Sequence, residues 1–171
     1  TIDGNKAHMT ASVTGSVIFV AGGHGVKLYP NLTVTNCKKA GNEKTLTGDY
    51  TVSYADSVGG AVAILTGKAT MDIYGGIYSN NETNDITKVD GVSVETSTHG
   101  GAFYVYGTLN VYGGTFSGNH ASRGGVFYCY RTINLYNAQI WGNSASTYGG
   151  AIYMPNSTSA FLYIGEENDV V

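Results

Sequence analysis

The hexapeptide Gly100-Gly101-Ala102-Phe103-Tyr104-Val105 returns as Gly124-Gly125-Val126-Phe127-Tyr128-Cys129 and again as Gly149-Gly150-Ala151-Ile152-Tyr153-Met154, at spacings of 24 and 25 residues. An earlier copy is Gly59-Gly60-Ala61-Val62-Ala63-Ile64, and a looser one is Gly15-Ser16-Val17-Ile18-Phe19-Val20. A second apolar alternation follows each copy: Met71-Asp72-Ile73-Tyr74, Leu109-Asn110-Val111-Tyr112, Ile133-Asn134-Leu135-Tyr136 and Leu162-Tyr163-Ile164-Gly165. A third short segment then ends in asparagine: Ile77 to Asn80, Phe116 to Asn119 and Ile140 to Asn143, with Ile2 to Asn5 as an opening copy and 32–36 as a longer variant. A fixed period with the same residue types in the same order is the signature of a stacked-repeat architecture, because one unit cannot bury its own apolar face.

Each segment alternates with the two-residue period of a strand, and no stretch between them carries a useful helical period. The sequence therefore predicts an all-β chain: a parallel β-helix of about five coils with three short strands per coil. Alternation directs Val62 and Ile64, Phe103 and Val105, Phe127 and Cys129, and Ile152 and Met154 inward, with Met71, Ile73, Leu109, Val111, Ile133, Leu135, Ile77, Phe116 and Ile140. Coils stack about 4.8 Å apart, so each inward position becomes a ladder of like side chains. Such ladders remove apolar surface from water at roughly 25 cal/mol per Å².

The Gly-Gly pairs mark a corner before the first strand, since glycine can take positive φ and leaves room for a tight bend. Asn80, Asn119 and Asn143 mark another, where an amide can bond the neighbouring coils, and they form a structural asparagine ladder. Tyr104, Tyr128 and Tyr153 on the first strand and Tyr74, Tyr112 and Tyr136 after the second point outward as two tyrosine files. Two readings stand for them: ring-on-ring packing that stiffens an exposed face, or an aromatic platform that binds glycan or protein. Segments 38–58 and 81–99 break the period and hold 11 of the 21 charged residues; both are expected to leave the stack at the same corner as solvated or binding loops. Strands are also expected within 50–54.

Composition excludes several classes. Twenty-five glycines do not suit a helical protein, and two prolines do not suit a collagen-like chain. A net charge of -3 gives no electrostatic basis for nucleic-acid binding. No apolar run is long enough for a membrane-spanning helix. Cys37 and Cys129 have no metal-ligand spacing and lie some three coils apart, about 14 Å, beyond disulfide reach, so two free buried thiols are expected. No metal or other cofactor is expected, because no ligand cluster appears. Asp72 is the lone acid on the regular strands, and glycoside hydrolysis needs a carboxylate pair. His8, His24, His99 and His120 occur singly, the last two as exposed corner residues, and no Gly-x-Ser-x-Gly elbow appears; the chain is not expected to be an enzyme. Thr70, Thr108 and Thr132 align as one file, too narrow for the flat array an ice-binding face needs.

The motif Gly-Gly-Ala-(Ile/Val/Phe), followed by Phe-x-x-Asn, resembles the polymorphic outer-membrane-protein repeats of bacterial surface proteins. The residues that carry it are Gly59-Gly60-Ala61-Val62, Gly100-Gly101-Ala102-Phe103, Gly149-Gly150-Ala151-Ile152 and Phe116-Ser117-Gly118-Asn119. The resemblance implies a right-handed, pectate-lyase-like solenoid, secreted or at the cell surface, serving as adhesin, stalk or fibre segment. Its expected partners are a host or neighbouring-cell surface protein or glycan, or another copy stacked end to end. Residues 1–171 are expected to form one domain, cut from a longer surface protein.

Overall fold

The structure, a computed structural model, describes residues 2–3, 16–40, 60–84, 86–89, 92–95 and 98–165. Among these residues there is no helix. Apart from one two-stranded antiparallel hairpin, the strands form four parallel sheets. The first contains Ile18–Val20, Ala63–Leu65, Phe103–Val105, Phe127–Cys129 and Ile152–Tyr153. The second contains Gly25–Leu28, Thr70–Ile73, Thr108–Val111, Thr132–Leu135 and Phe161–Ile164. The third contains Ile2–Asp3, Thr33–Thr35, Ile77–Ser79, Thr115–Ser117 and Gln139–Trp141. A fourth, beyond the three strands expected per repeat, contains Lys38–Ala40, Glu82–Asn84, His120–Arg123 and Ser144–Tyr148. Every neighbouring pair within these sheets is parallel, and successive repeats lie side by side in each. The strands are short because glycine or asparagine at positive φ ends them at recurrent corners.

The first corner sets the register. Gly60, Gly100, Gly124 and Gly149 hold φ between 64° and 80°, so Gly60 is the counterpart of Gly100. A side chain at Gly100 would run into the Phe103 carbonyl. Ala63 therefore pairs with Phe103, Ile64 with Tyr104 and Leu65 with Val105. The expectation that Ile64 points inward concerns a side chain outside those the structure describes. Matching Gly59-Gly60 to Gly100-Gly101 is a one-residue slip, and in a strand that slip exchanges the two faces. Val62 is nonetheless buried, because it occupies the corner place of Ala102 and Val126.

The third sheet needs a similar correction. Tyr78 pairs with Phe116 and is fully buried, whereas Ile77 is 48% exposed. The left-handed residue that ends the strand is Asn80 (φ 55°), matched by Gly118 and Gly142 in later repeats and by Asn36 in the earlier one. Phe116-x-x-Asn119 thus corresponds to Tyr78-x-x-Asn81, not to Ile77-x-x-Asn80. The buried phenol is accommodated because its hydroxyl donates to the Gly75 carbonyl at 3.1 Å. Burial holds this phenol well above the ordinary tyrosine range.

The core is built from the inward files. Met71, Leu109 and Ile133 align in the second sheet, as do Ile73, Val111 and Leu135, all of them buried. Between the sheets Tyr78, Phe103, Phe116 and Phe127 form one aromatic cluster with ring centroids 5.0–5.9 Å apart. Cys37 and Cys129 are both buried and unbridged.

Asparagine amides tie the repeats together at the third corner. Asn81 donates its backbone N–H and its Nδ2 to Asn119 Oδ1, both at 3.0 Å. Asn119 repeats both bonds to Asn143 Oδ1 at 2.9 and 3.0 Å. Each Nδ2 also reaches a carbonyl: Val34 from Asn81, Tyr78 from Asn119 and Phe116 from Asn143. Cys37 sits at the head of the row and donates its N–H to Asn81 Oδ1. The ladder is therefore Asn81, Asn119 and Asn143; Asn80 serves at the turn instead.

Candidate functional site

The most regular feature of the surface follows the second sheet. Tyr29, Tyr74, Tyr112 and Tyr136 each come directly after an inward aliphatic residue, so the strand register superposes them. Their rings stack at 5.7, 5.1 and 5.1 Å with interplanar angles of 11–18°. In the last described repeat Gly165 holds the equivalent place, and Tyr163 swings its ring to within 5.8 Å of Tyr136. Tyr29 and Tyr163 escaped the sequence reading. Tyr29 carries a positional signal once Gly25–Leu28 is recognised as a strand, but Tyr163 carries none, because it comes from the preceding outward position.

The stack is flanked by a polar row. Asn110 donates to Asp72 Oδ1 at 2.8 Å, and Asn134 donates to Asn110 Oδ1 at 2.7 Å. Lys27 lies opposite Asp72 and over the Tyr74 ring, 5.9 Å from its centroid. Because the rings of Tyr74 and Tyr112 are stacked on both sides, their edges and hydroxyls are what they present outward. Thr70, Thr108 and Thr132 align beside them as a single file.

The other tyrosine file differs from the exposed stripe that alternation suggests. Tyr104 and Tyr128 stack at 5.5 Å, and Tyr153 follows at 5.3 Å, but Tyr128 is fully buried and Tyr104 and Tyr153 are half-buried. The reason is tertiary. His99 pairs in parallel with Arg123 and lays its ring 4.1 Å from that of Tyr128. Tyr130 packs against Tyr128 at 5.2 Å, and Tyr148 stacks on Tyr153 at 5.8 Å. Arg123 lies over the rings of both Tyr148 and Tyr153. His99 is thus a half-buried packing residue, not an exposed corner residue.

Burial pushes the Tyr104 phenol up to about 12 from an ordinary 10.0, with help from Tyr130 and Tyr106, and burial pushes the Cys129 thiol up to about 11 from 9.0. Both groups are neutral when protonated, and the folded chain retains their protons to higher pH than the unfolded chain. Their contribution to stability is therefore complete below the unfolded values and is lost as pH rises through the folded ones, from 9 to 11 for Cys129 and from 10 to 12 for Tyr104. For Cys129 the loss amounts to at most about 1.4 kcal/mol per pH unit. We expect the urea midpoint to fall steadily between pH 9 and pH 11. We also expect the thiols to resist an aromatic disulfide reagent until the chain unfolds. A midpoint flat across that range, or rapid labelling of the folded chain, contradicts this account.

Both insertions leave the stack from the fourth sheet. Lys38 pairs with Glu82, Lys39 with Thr83 and Ala40 with Asn84, so the two departures are adjacent, and Lys38 Nζ lies 3.5 Å from Glu82 Oε1. The second insertion holds an antiparallel hairpin, Ile86–Val89 with Val92–Glu95. The strands expected within 50–54 lie outside the described residues. His120 Nδ1 lies 2.9 Å from Ser144 Oγ on the fourth sheet. Among the described residues, no three His, Cys, Asp or Glu side chains converge as metal ligands, and no helix is long and apolar enough to cross a membrane. Comparison of the chain with protein families, curated proteins and solved structures finds no match.

Proposed function

We propose that this chain is a non-catalytic extracellular surface module, an adhesin, stalk or fibre segment. In this reading the four parallel sheets wind as a right-handed parallel β-helix of about five coils. Parallel strands joined within a repeat need crossover connections, and such connections are right-handed in the great majority of cases. The observation that carries the reading is the tyrosine stack of Tyr29, Tyr74, Tyr112 and Tyr136, with Tyr163 tilted against its end. It repeats one group per coil along a rigid scaffold, which suits contact with an extended or repetitive surface and offers no concave site for a small substrate. The resemblance to polymorphic outer-membrane-protein repeats supports a secreted or cell-surface location. The partner is a host or neighbouring-cell protein or glycan. End-to-end stacking of copies is a further mode.

A second reading, carbohydrate binding or carbohydrate-active chemistry, is favoured by the aromatic richness of the surface. A combined array of extracellular proteins and glycans separates the two, probed with the chain and with a Tyr74→Ala/Tyr112→Ala/Tyr136→Ala variant. Binding to protein features that the triple variant loses supports a surface module working through the stack. Glycan binding lost in the same variant supports carbohydrate recognition by the stack, which both readings allow, and cleavage then separates them. Polysaccharide cleavage that survives repurification overturns the non-catalytic reading.

A further inference from the structure

The turn between the first and second sheets carries a different arrangement of aromatic groups. Tyr106-Gly107 joins the two sheets in one repeat and Tyr130-Arg131 in the next. Their backbones are in register, since Tyr106 N–H donates to Leu65 and Tyr130 N–H donates to Val105. In the following repeat the connection runs on through residues 154–160 before Phe161–Ile164 begins. This longer loop folds back on itself through Ser159 N–H to Ser157 Oγ and Ala160 N–H to the Ser157 carbonyl, both 3.3 Å. It forms one wall of a cleft of about 400 Å³, whose other walls are Tyr106, Tyr130 and Arg131. That volume lies within the range of about 300–1,000 Å³ typical of small-molecule sites.

The lining has a definite chemistry. Tyr106 and Tyr130 do not stack. Their rings cross at 64° with centroids 5.6 Å apart, so they form two walls of a corner. The Arg131 guanidinium lies over one face of the Tyr106 ring, 5.5 Å from its centroid, while the Arg131 side chain stays exposed. Asn156, Ser157, Thr158 and Ser159 add an amide and three hydroxyls, and no acidic residue lines the cleft. An aromatic wall accepts the C–H face of a pyranose. Hydroxyls and an amide match ring hydroxyls in either direction. A guanidinium is the preferred partner of a carboxylate, which it binds with two parallel hydrogen bonds.

We propose that this cleft binds a carboxylated sugar residue, such as a uronic acid unit of an acidic polysaccharide. Tyr106 and Tyr130 pack on the ring, Arg131 holds the carboxylate, and Asn156 and the loop hydroxyls fix the remaining oxygens. The site is separate from the tyrosine stack of the surface reading, and neither depends on the other.

The test is a solution NMR titration of the whole chain with sodium D-glucuronate, D-glucose and inorganic sulfate in turn. Glucuronate should bind in the millimolar range and perturb Tyr106, Arg131 and residues 156–159, with glucose about tenfold weaker or more. Arg131→Gln should weaken glucuronate by about tenfold or more while leaving glucose unchanged. Tyr106→Ala should weaken both sugars, and the Tyr74→Ala/Tyr112→Ala/Tyr136→Ala variant should bind glucuronate as the parent does. The proposal is overturned if glucuronate does not bind, if glucose binds equally well, or if Arg131→Gln has no effect. Sulfate binding as tightly as glucuronate overturns it too, because the cleft is then a simple anion site.

Discussion

Replacing Asn119 with alanine is expected to lower the unfolding free energy by about 3–5 kcal/mol. Asn119 is fully buried, and its side chain is the centre of the amide ladder. Alanine leaves the Asn81 backbone N–H and one Asn81 amide hydrogen without an acceptor, and the Tyr78 carbonyl without its donor. Each such group costs about 1–3 kcal/mol when stranded in the interior. Aspartate separates lost bonds from lost volume. It has nearly the shape of asparagine but cannot donate, and it turns an oxygen toward Asn143 Oδ1 and the Tyr78 carbonyl. Asn119→Asp should therefore be destabilised at neutral pH as well. Asn137 is exposed, and Asn137→Ala should change stability by no more than about 0.5 kcal/mol. Urea unfolding of the four proteins decides the matter. A loss below about 1 kcal/mol for Asn119→Ala means that the ladder is not a principal tie between repeats.

Phe116→Ala is expected to cost about 3–5 kcal/mol, through lost burial and the cavity it leaves. Phe116 is fully buried and meets Tyr78 at 5.0 Å, Phe127 at 5.1 Å and Phe103 at 5.9 Å between centroids. Three rigid rings around the vacancy cannot collapse into it readily, which places the cost toward the upper part of the range. The informative control is Ile77→Ala. Ile77 is the residue that sequence alternation sends inward, yet it is 48% exposed, so its truncation should cost less than about 1 kcal/mol. Tyr78→Ala should instead resemble Phe116→Ala. If Ile77→Ala is as costly as Tyr78→Ala, the register of the third sheet is wrong by one residue, and with it the identity of the ladder asparagines.

The parts of the structure that local chemistry dictates were legible in the sequence. Strands at Phe103–Val105, Thr108–Val111 and Thr115–Ser117, and their equivalents one repeat later, follow from alternation of apolar residues with polar and tyrosine residues. Their parallel register follows from like residues returning at like positions. Asn119 and Asn143 were legible as ladder residues, because each is the sole asparagine at its corner. The alignment failed where the sequence supplied two equivalent candidates. Gly59-Gly60 and Asn80-Asn81 each offer a choice of residue for a single left-handed position, and composition cannot make that choice. The backbone can, since the φ of Gly60 and Asn80 sets which neighbour enters the ladder. The fourth sheet was missed because Lys38–Ala40, Glu82–Asn84 and His120–Arg123 lack apolar alternation and are held by pairing between repeats.

The same division holds for the surface. That Tyr74, Tyr112 and Tyr136 share a line follows from residue order alone, because it depends only on their distance from the inward residues of their own strands. That Tyr128 is covered while Tyr74 stays exposed follows from packing in three dimensions, because the cover on Tyr128 comes from His99 and Tyr130. Only the tertiary structure, likewise, joins Tyr106 and Arg131 to residues 156–159 in one cleft. Periodicity fixes what repeats along a strand, whereas exposure depends on side chains that arrive from other segments and share no period with it.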